Sequence, residues 1–236
     1  MELFCFQNAT FQVLKLDLLI ENNLTAIIDT GVLTAEQGNG DYSNSIIQGR
    51  LQELGLEEVI IMGDGNCFFT AVAFHLSNLM STHESTSVGM RSRIANIGLQ
   101  QAMNMQQIAD HLRGLVVEEW GERPNEYASF LQENVNYLAE VSKFENPGFF
   151  NSPLGDHMPK AISNVLGMPL CIVGSEPNTP VLQVSPSACT DSPVQIILEY
   201  NTSGAGHYNA AISKAKSMDK IRQDRTYNVA LAGMCH

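Results

Sequence analysis

The sequence has few basic residues for its length. Of its 236 residues only 13 are Lys or Arg, against 25 Asp or Glu, which gives a formal net charge of -12. No run of Lys and Arg is dense enough to neutralise several phosphates, so we expect no nucleic-acid partner. An acidic surface suits a basic protein partner, but it also keeps a protein soluble, and we favour the second explanation.

The chain also lacks the cysteine pattern of a disulfide framework or a zinc site. Its five cysteines are odd in number, irregularly spaced and contain no CxxC pair: Cys5, Cys67, Cys171, Cys189 and Cys235. This favours a reducing compartment. No apolar run approaches the roughly 18 residues that span a bilayer, and the first twenty residues do not follow a signal-peptide pattern. We therefore predict a cytoplasmic protein without membrane association.

Hydrophobic residues make up 44% of the chain, as in ordinary globular proteins. We predict an N-terminal extension or accessory hairpin in residues 1–42, one catalytic domain in residues 43–214 and a tail in residues 215–236. Alternating apolar residues predict a strand within residues 11–20, and the stretch 24–28 is placed to pair back on it. Glycine and asparagine predict a loop at residues 38–41.

Hydrophobic periodicity predicts both helices and strands in the catalytic domain, hence an α+β class. Asp156 suits the N-cap of a helix with Pro159 in its first turn and Gly167 as its end. The last third predicts antiparallel sheet behind one helix, and residues 175–193 are too irregular for an element. The other predicted helices cover residues 43–54, 67–80, 105–120 and 126–144, and the predicted strands cover residues 170–173, 194–200 and 207–212.

Cys67 stands where a tight turn becomes the first turn of a predicted helix. Gly63 and Gly65 allow the sharp turn, and Asp64 and Asn66 suit it through side-chain to backbone hydrogen bonds. The pKa of a thiol falls from about 8.5 at a helix N-terminus beside an imidazole, and the thiolate is the nucleophile. Backbone N–H groups near the helix start can also bind an oxyanion. By itself, however, a cysteine beside glycines is more often a buried small hydrophobe.

His207 lies 140 residues downstream of Cys67, at the start of a predicted strand after a glycine-containing turn. Residues i and i+2 of a strand share one face, so Asn209 can hold the His207 ring in the tautomer that accepts a thiol proton. Each residue alone is weak evidence. The three together supply a nucleophile, a base and an orienting group.

Two short segments resemble the signature motifs of a known family. Residues 63–69, Gly-Asp-Gly-Asn-Cys-Phe-Phe, are similar to the Asp-Gly-Asn-Cys box of ovarian-tumour (OTU) domain cysteine proteases, and residues 206–209, Gly-His-Tyr-Asn, are similar to their His-Tyr-Asn/Asp box. The order and separation agree, and Gly155-Asp156 with the following helix and strand resembles the segment before the family's penultimate strands. The resemblance covers about residues 43–214. Thr70 departs from the pattern, and residues 1–42 match nothing in it.

The resemblance implies a papain-like OTU fold, with a small, twisted, mostly antiparallel sheet between helical layers. It implies Cys67 as the nucleophile, His207 as the general base and Asn209 as the third member. It further implies that Asp64 shapes the loop whose backbone contributes to the oxyanion hole. The family cleaves the isopeptide bond between the C-terminal glycine of ubiquitin and a lysine amine, with no metal or organic cofactor. The expected partner is ubiquitin or a polyubiquitin chain, and we expect a monomer.

Two other functions stay open at the level of sequence. One is a module that binds ubiquitin without cleaving it, which the presence of Cys67, His207 and Asn209 disfavours. The other is a protease for a different ubiquitin-like modifier, which keeps the chemistry and changes the substrate.

Overall fold

A computed structural model describes residues 39–81, 88–132, 134–188, 195–202 and 206–214. By its contacts the chain separates into two units, Met1–Asp41 and Tyr42–His236. Of the first unit only residues 39–41 are described, so the strand and hairpin predicted for residues 11–28 lie outside the described residues. The predicted tail, residues 215–236, lies outside them too.

The structure combines helices with one sheet, which confirms the predicted α+β class. Across the described ranges there are seven α-helices and two short 3-10 helices, Ala128–Phe130 and Gly155–His157. The α-helices are α1 (Asn39–Glu53), α2 (Cys67–Ser81), α3 (Val88–Asn96), α4 (Met105–Glu122), α5 (Pro124–Tyr127), α6 (Tyr137–Lys143) and α7 (Met158–Leu166). The strands are β1 (Leu56–Val59), β2 (Leu170–Gly174), β3 (Val181–Val184), β4 (Ile196–Asn201) and β5 (His207–Ser213).

The five strands form one sheet in the order β1-β5-β4-β2-β3. β5 lies between β1 and β4 and is antiparallel to both, and β3 is antiparallel to β2. The β2–β4 pair is parallel, so the prediction of antiparallel sheet in the last third is wrong at this pair. The sheet as a whole is mostly antiparallel, as predicted.

Helices pack on both faces of the sheet. On one face, Ile47 and Leu51 of α1 pack with Val173 and Ala211 of the strands. On the other face α2 packs against β4 and β5, while α4 packs mainly on α2 and α7. α4 therefore belongs to a layer outside α2. None of the helices in the described ranges is long and apolar enough to span a bilayer.

Four predicted element boundaries need correction. Residues 39–41, predicted as loop, begin α1, and Ile47 and Leu51 bury one face of this helix. The predicted helix 126–144 is divided between α5, a 3-10 turn and α6. Asn136 begins α6 by accepting a hydrogen bond from the Ala139 N–H, and asparagine favours such caps over helix interiors.

The other two corrections concern α7 and β3. Asp156 lies inside the 3-10 turn before α7, and His157 occupies the N-cap without a side-chain cap. Pro159 in the first turn and the left-handed Gly167 at the end agree with the prediction. Residues 175–193, predicted to be irregular, contain β3, a four-residue edge strand. Its pairing with β2 makes it a strand, and so short a segment has little sequence signal of its own.

Candidate active site

Cys67 is the first residue of α2 and is half-buried. The turn before it is closed by Asp64, whose Oδ1 accepts a hydrogen bond of 2.8 Å from the backbone N–H of Asn66. Gly65 adopts φ +78°, a conformation that glycine tolerates at no steric cost. Asp64 thus acts within the loop, and its carboxylate holds the backbone immediately before the thiol.

The Cys67 loop packs backbone against backbone on a second loop. A Cβ added to Gly65 would lie 2.0 Å from the carbonyl oxygen of Gly148, and one added to Gly148 would lie 3.1 Å from the carbonyl oxygen of Asp64. Gly148 also has a positive φ of 80°. Both glycines are therefore required by the close approach of the two loops, which fixes where Cys67 sits.

Arg113 of α4 holds these loops together, and the sequence analysis missed it. Its side chain is buried and donates to Asn66 Oδ1 from Nη2 at 2.6 Å and from Nε at 3.1 Å. It also donates to the backbone carbonyls of Gly65 at 3.2 Å and Phe149 at 2.8 Å, and its guanidinium lies 4.7 Å from the centre of the Phe69 ring. Burial lowers the pKa of Arg113, but a guanidinium stays charged in proteins. The available signal was an arginine on the apolar face of a helix.

Asn66 is the acceptor at the centre of this arrangement. Besides the two bonds from Arg113, its Oδ1 faces the Gly148 N–H at 3.3 Å. Asn66 is buried, so its carbonyl would be costly without donors. The side chain next to Cys67 therefore links α4, the Gly148 loop and the start of α2.

His207 is the first residue of β5, and its ring orientation is set by two acceptors. Nε2 lies 3.0 Å from Asn209 Oδ1 and 3.0 Å from the carbonyl oxygen of Ile61. Because both partners accept hydrogen bonds, Nε2 carries the proton in the neutral ring and Nδ1 does not. A Cβ on Gly63 would lie 3.6 Å from Nδ1. The basic nitrogen therefore faces the backbone of the Cys67 loop.

Asn209 is buried and has one orientation that satisfies all its neighbours. Its Oδ1 accepts from the Ile61 N–H at 2.8 Å as well as from His207, and its Nδ2 donates to Glu58 Oε1 at 2.6 Å. A flipped amide would place its donor against the Ile61 N–H and its oxygen against the Glu58 carboxylate. The structure thus brings His207 and Asn209 together, with Glu58 behind them.

A cavity open to solvent lies beside Cys67. Its lining is formed by Gly65, Cys67, Phe68, Phe69, Phe150, Asn151, Ser152, Gly155, Asp156, Met158, Tyr200, Gly206 and Tyr208. The residues on either side of His207 therefore share this cavity with the thiol. Gly206 has φ +80° and no room for a side chain, since an added Cβ would lie 2.6 Å from the Tyr200 hydroxyl.

Two stacked tyrosines form one wall of the cavity. The rings of Tyr200 and Tyr208 are 4.4 Å apart, and Phe68 meets Tyr208 edge-on at 5.0 Å. Burial, followed by the negative charges of Asp156 and Cys67, raises the pKa of Tyr200, and burial raises that of Tyr208. Both hydroxyls therefore remain neutral at physiological pH and present a polar but uncharged wall.

Two further histidines, His75 and His111, hydrogen-bond backbone carbonyls and are not part of the lining of this cavity. His75 Nε2 lies 2.8 Å from the carbonyl oxygen of Ile197, and His111 Nε2 lies 2.5 Å from that of Ile97. Over the ranges that the structure covers, no three His, Cys, Asp or Glu side chains form a potential metal site. Cys67 and His207 with their hydrogen-bonded neighbours are therefore the candidate functional groups beside this cavity.

The protein was compared with protein families, curated proteins and solved structures. No family profile and no curated protein matches the chain. The OTU domain of OTUD1 is 14% identical, with 74% of this chain and 97% of that chain covered and a TM-score of 0.49. The ceOTUB1 complex with ubiquitin aldehyde and UBC13~Ub gives 15% identity, 72% and 86% coverage and a TM-score of 0.47. The h/ceOTUB1–ubiquitin aldehyde–UBCH5B~Ub structure is 12% identical, with 87% of this chain and 99% of that chain covered and a TM-score of 0.47.

These matches are OTU-domain structures, at low identity and TM-scores just below 0.5. We therefore base the functional proposal on the geometry of the site. Four of the solved structures to which this chain is similar are those of OTU domains.

Proposed function

We propose that the protein is an OTU-type deubiquitinase, a thiol-dependent isopeptidase with Cys67 as nucleophile and His207 as general base. The observation that carries this proposal is the hydrogen bond of His207 Nε2 to Asn209 Oδ1. It leaves the unprotonated Nδ1 facing the loop that delivers Cys67 to a helix N-terminus. A thiol at such a position and an imidazole in this tautomer are the two parts of a cysteine hydrolase.

The reaction follows from these parts. His207 Nδ1 takes the Cys67 proton, and the thiolate attacks the carbonyl of the C-terminal glycine of ubiquitin. The N–H groups of the first turn of α2, which have no intrahelical partners, stabilise the oxyanion. Collapse of the tetrahedral intermediate breaks the C–N bond, and His207 gives its proton to the departing lysine amine. Water, activated by His207, then hydrolyses the thioester, releases the ubiquitin carboxylate and restores the thiol.

Ubiquitin or a polyubiquitin chain is the proposed substrate, and the motif resemblance supports that choice. Cys67 and Cys171 are both free thiols, which fits a reducing compartment such as the cytoplasm. These features together support a cytoplasmic enzyme that acts on a protein modifier.

The test is incubation with ubiquitin that carries a thiol-reactive group at its C-terminus, read by intact mass. We expect one ubiquitin adduct on the wild type and on Cys171→Ala, and none on Cys67→Ala. Cys171 is a matched control because it is also a free cysteine, but it is buried and burial raises its pKa to about 11. His207→Ala should form the adduct much more slowly, since the thiol loses its base.

Two outcomes would contradict the proposal. A folded wild type that binds ubiquitin and forms no adduct would be a non-catalytic binding module. A wild type that reacts through Cys67 with another ubiquitin-like probe, and not with ubiquitin, would be a protease for that modifier.

A further inference from the structure

Behind the candidate triad lies a pair of carboxyl groups that the reaction itself does not use. Glu199 is in the middle of β4 and only 2% exposed, directly opposite Asn209 of β5 in the strand register. Glu58 projects from β1 on the other side of β5, and its carboxyl and that of Glu199 both accept from the same Asn209 amide nitrogen. When two carboxyl groups lie this near to each other and one of them is buried, ionising both has a large cost in free energy. The two groups therefore share one proton.

Both acids face the amide of Asn209. Its Nδ2 donates to Glu58 Oε1 at 2.6 Å and approaches Glu199 Oε2 at 3.4 Å. The second oxygen of Glu58 accepts from Gln48 Nε2 at 2.8 Å. The Glu58 carboxyl therefore accepts hydrogen bonds from two amides, those of Gln48 and Asn209.

Among the described residues, Glu57 and Lys214 share a surface cavity with Glu58. From β5, His207 lies near the carboxyl pair through Asn209, and from β2 the register neighbour of Glu199 is the apolar Val173. α1 contributes the neutral amide of Gln48, while its Arg50 donates to the carbonyls of Gly174 and Glu176. Burial, followed by the charge of Glu58, raises the pKa of Glu199 to about 8. Glu199 therefore holds the shared proton at neutral pH.

We propose that Glu58 and Glu199 form a proton-sharing pair that positions Asn209, and through Asn209 fixes His207 as the Nε2–H tautomer with Nδ1 as the base. The inference rests on the proposed function, because it assigns the base of that reaction its supporting groups. The physical basis is that the Asn209 amide has a donor on one side and an acceptor on the other. Because the carboxyl pair accepts from Nδ2, Oδ1 must turn toward His207 and the Ile61 N–H. Glu58 and Glu199 are positioning residues, since neither touches the reacting atoms.

The pair also makes this support dependent on pH. When Glu199 loses its proton, its buried carboxylate and the half-buried carboxylate of Glu58 repel each other across the Asn209 amide. We expect the hydrogen bond from His207 Nε2 to Asn209 Oδ1 to loosen as the pH rises through about 8, the value to which the pKa of Glu199 is raised. Below that pH the pair and the tautomer are intact.

The experiment is nitrogen NMR of the His207 ring in the full chain between pH 6 and 9.5, which needs no ubiquitin. His207→Ala assigns the signals. The wild type and Glu57→Ala should show neutral His207 with the proton on Nε2 at pH 7.5, whereas Glu58→Ala should show both tautomers. Glu57 is the matched control because it is the exposed neighbour of Glu58 on the same strand.

A second variant, Glu199→Gln, keeps the size of the side chain and an N–H donor for Glu58. It should keep the Nε2–H tautomer and remove the His207 shift change near pH 8. In ubiquitin hydrolysis, Glu58→Ala should lower kcat by about tenfold with little change in KM, as is common when the group that orients a functional imidazole is lost.

The inference is overturned if Glu58→Ala, correctly folded, keeps the wild-type tautomer, or if the change near pH 8 persists in Glu199→Gln. If Glu58→Ala does not fold, the Glu199→Gln titration alone decides. Because the ring signals do not depend on substrate, failure of the ubiquitin probe with an intact His207 tautomer would refute the proposed function and leave the role of the carboxyl pair standing.

Discussion

The loop that carries Cys67 and the strand that carries His207 are stabilised by charges of opposite sign. A buried cation, Arg113, gathers the oxygens of Asn66 and its neighbours on the thiol side. On the imidazole side, the Glu58 and Glu199 carboxyls accept from the Asn209 amide. The cation binds backbone carbonyls and so fixes a loop. The carboxyl pair binds one side-chain amide and so fixes the tautomer of one ring.

The largest effect should come from Arg113→Met, which removes the cation and keeps an unbranched side chain. The carbonyls of Gly65 and Phe149 would lose the donor that Arg113 supplies, and Asn66 Oδ1 would keep only the Gly148 N–H. Each group left unsatisfied costs about 1–3 kcal/mol. We expect loss of several kcal/mol in the free energy of unfolding, measured by urea denaturation, and no reaction of Cys67 with the ubiquitin probe. Arg91→Met, at an exposed position of α3, should leave both unchanged, and equal effects of the two variants would refute the role of Arg113.

Gly65→Ala tests the packing of the Cys67 loop at a single carbon. The new Cβ would lie 2.0 Å from the Gly148 carbonyl oxygen at φ +78°, so the two loops must separate. Gly55→Ala is the matched control, because Gly55 has φ +66° and open space around it, which leaves only the backbone cost of about 1–2 kcal/mol. Urea denaturation should show a clearly larger loss for Gly65→Ala. A loss no larger than that of Gly55→Ala would mean that the loops do not need this contact.

Asn209→Asp should be harmful here, although an aspartate suits many histidine-orienting positions. The substitution would replace the amide donor by a third carboxyl next to Glu58 and Glu199. With no N–H donor between them, the carboxyl groups would repel one another. We expect at least a tenfold loss in the rate of probe reaction at pH 7.5, which is about 1.4 kcal/mol. Combining Asn209→Asp with Glu199→Gln should restore part of that rate. Full activity of Asn209→Asp alone would show that the amide end facing the carboxyl pair is unimportant.

The smallest effect concerns stability and pH. Because burial raises the pKa of Glu199 from 4.5 to about 8, the folded state keeps a proton that the unfolded state loses. The stability from this group is therefore fully present below about pH 4.5 and is lost as the pH rises toward 8. Comparing urea denaturation at pH 6 and pH 8.5, we expect the difference in unfolding free energy to be smaller in Glu199→Gln than in the wild type. An unchanged difference would mean that Glu199 is ionised throughout.

The sequence predicted those parts of the site that are contiguous in the chain. Asp64 and Cys67 stand in one turn, and His207 and Asn209 are two residues apart on one strand, so local rules place them. Arg113 and Glu199 reach the site only through helix packing and strand register, which one sequence does not reveal. Glu199 in particular lies in an apolar run of the sequence. Its burial beside a second acidic residue is unexpected, because glutamate is rarely buried.

The fold shows the same division between local and tertiary causes. The α2, α4 and β2 segments were predicted because their periodicity is strong, and their observed bounds agree within two residues. The predicted helix 126–144 is divided because Asn136 caps a new helix and Tyr127 bonds buried Glu119. β3 is a strand because β2 pairs with it. Propensity is overridden where such tertiary hydrogen bonds are available.

Cleavage of lysine-linked diubiquitin tests the central claim most directly, because it requires the nucleophile, the base and the substrate together. The wild type, Cys67→Ala and Cys171→Ala would be incubated with each linkage type, and the release of monoubiquitin measured by mass. We predict release by the wild type and Cys171→Ala for at least one linkage, and none by Cys67→Ala. Release that persists in Cys67→Ala, or no release of any linkage by folded wild type, would contradict the assignment of this site.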